Sequence, residues 1–264
     1  MQSKEIAGNH DTGLLKILAL VFMVIDHVGA RIFRNVMELR IIGRMAFPLY
    51  VWCLVVGAVY TRDPLKYALR LLIAAVIAQP FYMLGLNHTW QQFNVMYTLL
   101  LGYIAIAGIR INRFGSRWWA PALMLLITCF VTVDYGWNGV MLAILLYLCR
   151  EKRSAIAALM AAFCLYWGNG SSVVSSLFGY PLAKDGTLLG EVMQLSVIRA
   201  FMKLQTLAIL SLPLILWQRK KRTPFPKWAA YAAYPGHLLI LWIVQLLMGK
   251  TTLLAAQKLL LPFM

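Results

Sequence analysis

Apolar stretches separated by short polar links run almost the whole length of the chain. They cover residues 14–32, 41–60, 65–85 and 95–111, then 118–133, 137–149, 154–167, 199–217 and 228–248. Most come close to the ~20 residues a helix needs to cross a hydrocarbon core of about 30 Å. Stretches 137–149 and 154–167 are short, which predicts tilt, extension by their flanks or partial re-entry. The pattern predicts an all-α polytopic transmembrane helix bundle of about nine spans in a single domain over 1–264. A tenth span would follow if the apolar tail 251–264 inserts. The first stretch imitates a signal peptide, but Asp26 and His27 interrupt it and no small-x-small cleavage site follows cleanly, so it reads as a retained span. The Gly- and Ser-rich segment 168–198 is the longest connection.

Composition narrows the class. Of 264 residues, 61% are hydrophobic and only 13% charged, with a mean hydropathy of +0.72. Too few polar side chains remain to cover a water-exposed globule, which excludes a soluble enzyme or a free DNA-binding domain. The formal net charge of +16 would suggest nucleic acid in a soluble protein. In this chain the accumulation of Lys and Arg in cytoplasmic links explains it, so the expected partner is the lipid bilayer and not nucleic acid. Cys53, Cys129, Cys149 and Cys164 lack CxxC spacing, so neither a disulfide framework nor a metal site is indicated.

Charge also orients the bundle. Basic links carry Arg62 and Lys66, then Arg110, Arg113 and Arg117, then Arg150, Lys152 and Arg153, and finally Arg219, Lys220, Lys221, Arg222 and Lys227. Between them lie links with few fixed cations, around Asn87–His88, at Asp134, and in the mixed segment with Lys184, Asp185 and Glu191. The positive-inside rule makes the basic set, and the N-terminus, cytoplasmic. One link breaks the rule. Arg31, Arg34 and Arg40, offset only by Glu38 and followed by Arg44, fall on the outer side. Pairing with buried acids, a lipid headgroup or an anionic ligand would each account for them.

Ionisable groups inside spans mark the candidate chemistry. Asp26 and His27 lie about 12 residues, or about 18 Å, into the first span. A charge near the centre of a span costs about 2.5–3.5 kcal/mol on insertion scales, so Asp26 should face a partner inside the bundle. Neighbours on a helix point about 100° apart, so one of the pair is free for chemistry while the other ties the helix to a neighbour. Arg44 is the natural partner. Pro48 lacks the N–H that would bond the carbonyl of residue 44, predicting a break beside the guanidinium. Tyr234-Pro235-Gly236-His237 repeats the theme in the last span. An imidazole titrates near neutrality and suits general-base work, although a His donating to a backbone carbonyl is the plainer alternative. Asn94, Gln79, Gln205 and Asp134-Tyr135-Gly136 complete the polar set, with Tyr97 and Tyr135 reading first as interfacial aromatics. HExxH, P-loop and GxSxG motifs are absent from the sequence.

Taken in order, these residues resemble the TraX family of membrane proteins. The resemblance begins at Lys16, Leu18-Ala19-Leu20-Val21, Met23 and Asp26-His27, and continues through Gly43-Arg44, Ala46-Phe47-Pro48-Leu49, Arg70 and Ala78-Gln79. It passes through Asn94 and Asp134-Tyr135-Gly136 with Gly139, and ends with Gln205, Leu212-Pro213, Tyr234-Pro235 and His237-Leu238. It covers roughly 14–245. The founding member of that family N-acetylates a pilin subunit, and the family is similar to multi-span acyltransferases that use cytoplasmic acyl-CoA. The resemblance therefore implies an acetyl- or acyltransferase in the cytoplasmic membrane of a bacterium. It would draw on acetyl-CoA and need no metal. The acceptor would be an envelope protein or glycan, such as a pilin N-terminus.

On this reading His237 is the expected general base, with His27 as its competitor. Asp26 sets the local electrostatics, and Arg44, with His27, stabilises the oxyanion, an effect that can reach about 3–4 kcal/mol. Arg31, Asn94, Asp134, Tyr135, Gln205 and Tyr234 are candidates for contacting the acceptor, and Arg70, Arg113 and Arg117 for the phosphates of CoA. A proton-coupled transporter would also bury Asp, His and Arg beside Pro breaks, but internal repeats are not visible. A scaffold would need no buried ionisable groups.

Overall fold

The computed structural model describes residues 5–182, 188–219 and 222–260. Lys184, Asp185, Lys220 and Lys221, used above for orientation, lie outside the described residues. The chain is overwhelmingly helical. In order come α1 (Thr12–Arg31), α2 (Met37–Gly43), α3 (Ala46–Tyr60), α4 (Pro64–Leu86), α5 (Val95–Ile111), α6 (Ser116–Phe130), α7 (Gly136–Cys149) and α8 (Arg153–Gly168). A minimal antiparallel hairpin follows, β1 (Ser176–Leu177) with β2 (Tyr180–Pro181), paired Ser176 to Pro181 and Leu177 to Tyr180. Then come α9 (Leu188–Gln194), α10 (Ser196–Phe201), a 3-10 segment (Thr206–Ser211), α11 (Leu212–Leu216), α12 (Lys227–Leu247) and α13 (Leu253–Leu260).

Among the described residues, four helical segments are long and apolar enough to cross a membrane: Thr12–Arg31, Met37–Tyr60, Pro64–Leu86 and Trp228–Leu247. Val95–Ile111, Gly136–Cys149, Arg153–Gly168 and Thr206–Leu216 are shorter apolar helices. The ends of these helices follow local chemistry. Asp11 accepts from the Leu14 N–H to cap α1, Asp63 from Lys66 to cap α4, and Asn94 from Met96 to cap α5. Asn87 and Asn112 close α4 and α5 in the left-handed conformation that Asn tolerates best after Gly.

α3 is the hub. It is apolar all round and nearly all of it is buried, from Ala46 and Phe47 through Trp52 to Val59. It packs on α1, α5, α7 and the 3-10 segment, while α12 lies along α4 and touches α1. Those contacts bring α1, the α2–α3 junction, the 3-10 segment and α12 to one place.

Two expectations about continuity need comment. The second span breaks at Arg44–Met45, between α2 and α3, beside the guanidinium as expected, but Pro48 is not the cause. Pro48 is the third residue of α3, where an N–H has no intrahelical partner in any case, so it starts the new helix instead of kinking an old one. The eighth stretch, 199–217, is not one helix. The Val174 and Leu204 N–H groups exchange bonds with Met202 and Ser172 carbonyls, and the Gln205 N–H turns to the Ser171 hydroxyl. With these donors diverted, the stretch holds only the end of α10, the 3-10 segment and the short α11.

Candidate functional site: an arginine-clamped aspartate beside a histidine pair

α1 places Asp26 and His27 five and four residues before its end, and the two side chains diverge as their helical spacing requires. Asp26, 7% exposed, turns to α2. Its Oδ2 accepts from Arg44 Nη2 at 2.5 Å and from Arg40 Nη1 at 2.8 Å, and the Asp26 carbonyl accepts a further bond from Arg40 Nη1 at 3.0 Å. Close approach of the backbones makes this possible. A Cβ on Gly43 would lie 2.2 Å from Asp26 Cβ, so α2 touches α1 through a residue without a side chain. Two of the four arginines that break the charge rule are therefore explained by a buried acid. Arg44 Nη1 donates onward to Gln205 Oε1 at 3.3 Å. Asp26 Oδ1, Arg44 Nε and Gln205 Nε2 are buried without hydrogen-bond partners.

His27 turns to α12. Its Nδ1 lies 2.8 Å from His237 Nε2, with the rings 5.0 Å apart and inclined by 16°. His237 Nδ1 lies 3.0 Å from the Ala233 carbonyl of its own helix. The imidazoles that the sequence offered as competitors are thus one hydrogen-bonded unit. Arg40 and Arg44 are close enough to act on His27 through space.

The remaining candidates sort by contact. Tyr135, half-buried, stacks on Phe47 at 3.9 Å, with Trp167 edge-on to both. It holds a left-handed conformation at φ 64°, and Asp134 beside it lies in the field of Arg44, Asp26 and Arg40. Burial raises the Asp134 carboxyl to about 6, against the pull of Arg44 and of the Tyr135 N–H. Tyr234 is buried, its ring 5.5 Å from that of His237. Asn94 is an anchor and not a free ligand group. Its Oδ1 caps α5, while its amide donates to the Ala75 carbonyl and to Gln79 Oε1. Arg31 Nε donates to Gln245 Oε1, and Gln245 in turn donates to the Gly85 carbonyl, tying α1, α12 and α4 together.

A cavity of about 520 Å³ approaches from the other end of the bundle. Lys16, Arg70, Arg222 and His10 line it, and so do Met23 and Tyr234, one helical turn before His27 and His237; neither of those histidines lines it. Arg113 and Arg117 do not line it; they are exposed on the α5–α6 link and in the first turn of α6, against Phe114 and Trp118. Sequence reasoning missed Lys16 and Arg222 as cavity residues, and Arg40 as the second clamp on Asp26. Lys16 and Arg222 are 206 positions apart, and nothing in their local sequence links them. Arg40 carried a signal, since its charge had no evident reason to be where it is. Among the described residues no three His, Cys, Asp or Glu side chains gather as metal ligands.

Known proteins corroborate the sequence pattern. Over 168 residues, 57% of this chain and 68% of the relative, it is 32% identical to the "Probable fimbrial assembly protein FimC, serogroup H1" of Dichelobacter nodosus. Over 170 residues, 62% of this chain and 64% of the relative, it is 27% identical to the "Uncharacterized protein RP591" of Rickettsia prowazekii (strain Madrid E). No solved structure matches. The family model described as TraX protein matches residues 11–245, which include the Asp26–Arg44 pair, His27, His237 and all of the cavity lining except His10, and the chain belongs to the TraX family.

Proposed function

We propose that the protein is an integral-membrane acyltransferase that moves an acetyl or other acyl group from cytoplasmic acyl-CoA to an amine or hydroxyl of an envelope acceptor. One observation carries this reading: a single cavity is lined by Lys16, Arg70 and Arg222 and also by Tyr234, whose ring lies 5.5 Å from that of His237. The basic residues of its lining suit the phosphates of CoA, and its largely apolar remainder suits the pantetheine arm. In this reading the N-terminus is cytoplasmic, the chain crosses the membrane about nine times, and the acceptor comes from the end bearing Arg40, Asp134 and Gln205. A fimbrial assembly relative supports a surface-fibre subunit as acceptor.

The chemistry asks for a base and an oxyanion donor. The imidazole pair takes the proton of the attacking N–H or O–H, a C–N or C–O bond forms at the thioester carbon, and the C–S bond breaks. The proton then passes to the CoA thiolate. Arg44 Nε, buried and unpartnered, is the donor left for the oxyanion, because the Arg44 Nη atoms are held by Asp26 and Gln205.

The test is transfer of labelled acetyl from acetyl-CoA to envelope material by purified protein in nanodiscs. Wild type should label an envelope component, and Arg44→Gln should lose most of the label. Absence of transfer with every acyl-CoA tried, together with substrate-dependent proton uptake into proteoliposomes, would favour a proton-coupled transporter instead.

A further inference from the structure

The two histidines are not equivalent, and their hydrogen bonds assign them different tasks. The Ala233 carbonyl can only accept, so His237 Nδ1, 3.0 Å away, carries the hydrogen. A neutral imidazole holds one N–H, so His237 Nε2 bears a lone pair. It must accept from His27 Nδ1 at 2.8 Å, and His27 is therefore also protonated at Nδ1. The chain of bonds ends at His27 Nε2, a bare nitrogen without a hydrogen-bond partner among the described residues. Both nitrogens of His237 are already engaged.

We propose that His27 is the catalytic base, acting through Nε2, and that His237 is a positioning residue that fixes the tautomer of His27. This division reverses the expectation from sequence, where the open helix beside His237 favoured that ring, and it rests on the acyl-transfer reading above. In the step itself the acceptor's N–H or O–H proton moves to His27 Nε2 as its heavy atom bonds the thioester carbon. His27 becomes an imidazolium whose Nδ1–H still points at His237 Nε2, a neutral acceptor that stabilises the new charge. When the C–S bond breaks, the Nε2 proton passes to the departing thiolate and both rings return to their starting tautomers. Without His237, Nδ1 of His27 has no fixed acceptor, and the hydrogen is free to move to Nε2, where it would block the base.

The full-length protein in nanodiscs, labelled with 15N-histidine, tests this directly. Protonated and bare ring nitrogens resonate far apart, and His27→Gln and His237→Gln identify the two rings among the chain's four histidines. Nδ1 protonated and Nε2 bare on both rings is the expected result. Hydrogen on His27 Nε2 overturns the proposal whether or not transfer is ever observed. Kinetics form the second arm, with labelled acetyl-CoA as donor and envelope material as acceptor. His27→Gln should lower kcat by about 10²–10⁴-fold with acetyl-CoA binding intact. His237→Leu should lower it by up to about 10⁴-fold, as when a catalytic imidazole loses the partner that fixes its tautomer. His237→Gln sets an amide oxygen near the place of Nε2 and should recover most of that loss. If His237→Gln is as damaging as His27→Gln, the assignment fails. If wild type transfers nothing, the acyl-transfer reading fails while the tautomer result still stands or falls alone.

Discussion

Asp26 lends one oxygen to two guanidiniums, and the arrangement ranks its own mutants. Losing one member of a buried ion pair typically costs about 3–5 kcal/mol, because the other charge is stranded. Asp26→Asn strands two cations and should destabilise most. Arg44, whose side chain is 11% exposed, should follow as Arg44→Gln, and Arg40, at 26%, should be mildest. Thermal unfolding in detergent gives the order, and the Asp26→Asn/Arg44→Gln double change should cost less than the sum. Strict additivity would mean the pair is not coupled. The sequence could nominate Asp26, His27, Arg44 and His237, because ionisable groups within apolar runs are conspicuous. It could not show that His27 and His237 share a hydrogen bond. That contact depends on how α1 and α12 are rotated about their axes, which packing sets. Nor could it show that Asn94 is saturated by Gln79 and Ala75, since partners 15 and 19 positions away leave no local trace.

Helices are joined by a few such devices, and each can be tested separately. Asp11 does more than cap α1. It also accepts from the Thr223 N–H and hydroxyl and from Arg219, clipping the link before α12 to the start of α1. Burial would raise its carboxyl, but the bonds from Thr223 and Leu14, with the charge of Arg219, outweigh burial and hold it below its ordinary value. A folded-state value below the unfolded value near 3.9 means the unfolded chain binds more protons in that window. The stabilisation is complete above about pH 4 and is lost as pH falls through the folded-state value. Asp11→Asn should therefore lower the melting temperature at pH 7, with the gap to wild type closing on acidification below about pH 4. A gap that stays constant would refute the clip. Gly43→Ala forces a methyl into Asp26 and should destabilise by about 1–3 kcal/mol, as overpacking does, measured by the same unfolding. At this scale the apolar pattern located nearly every helix, because burial and membrane burial both demand it. It failed at 199–217, where side chain and backbone partners on 171–174 draw the N–H groups away from helix formation.

For the molecule as a whole, orientation is the first matter to decide. If the basic links are cytoplasmic, single cysteines placed at Arg113 and at Arg222 should resist an impermeant thiol reagent in intact cells, in a background lacking Cys53, Cys129, Cys149 and Cys164. Labelling at either position would overturn the orientation and the proposed entry side for acyl-CoA. Helix length carries a different consequence. α7 has 14 residues, α6 15 and α8 16, so these rods are only about 21–24 Å long at 1.5 Å per residue. If all three cross the membrane, a hydrocarbon core near 30 Å would overhang them, and thinning of the bilayer beside them would be one way to relieve the mismatch. The longer α1 and α4, of 20 and 23 residues, face no such deficit. The surrounding lipid would then be thin beside these helices and of ordinary depth beside α1 and α4. On the acyl-transfer reading, turnover should accordingly rise in phosphatidylcholine with shorter chains and fall in longer ones. The membrane's own thickness would thus regulate how readily the acyl group crosses from one aqueous phase toward the other.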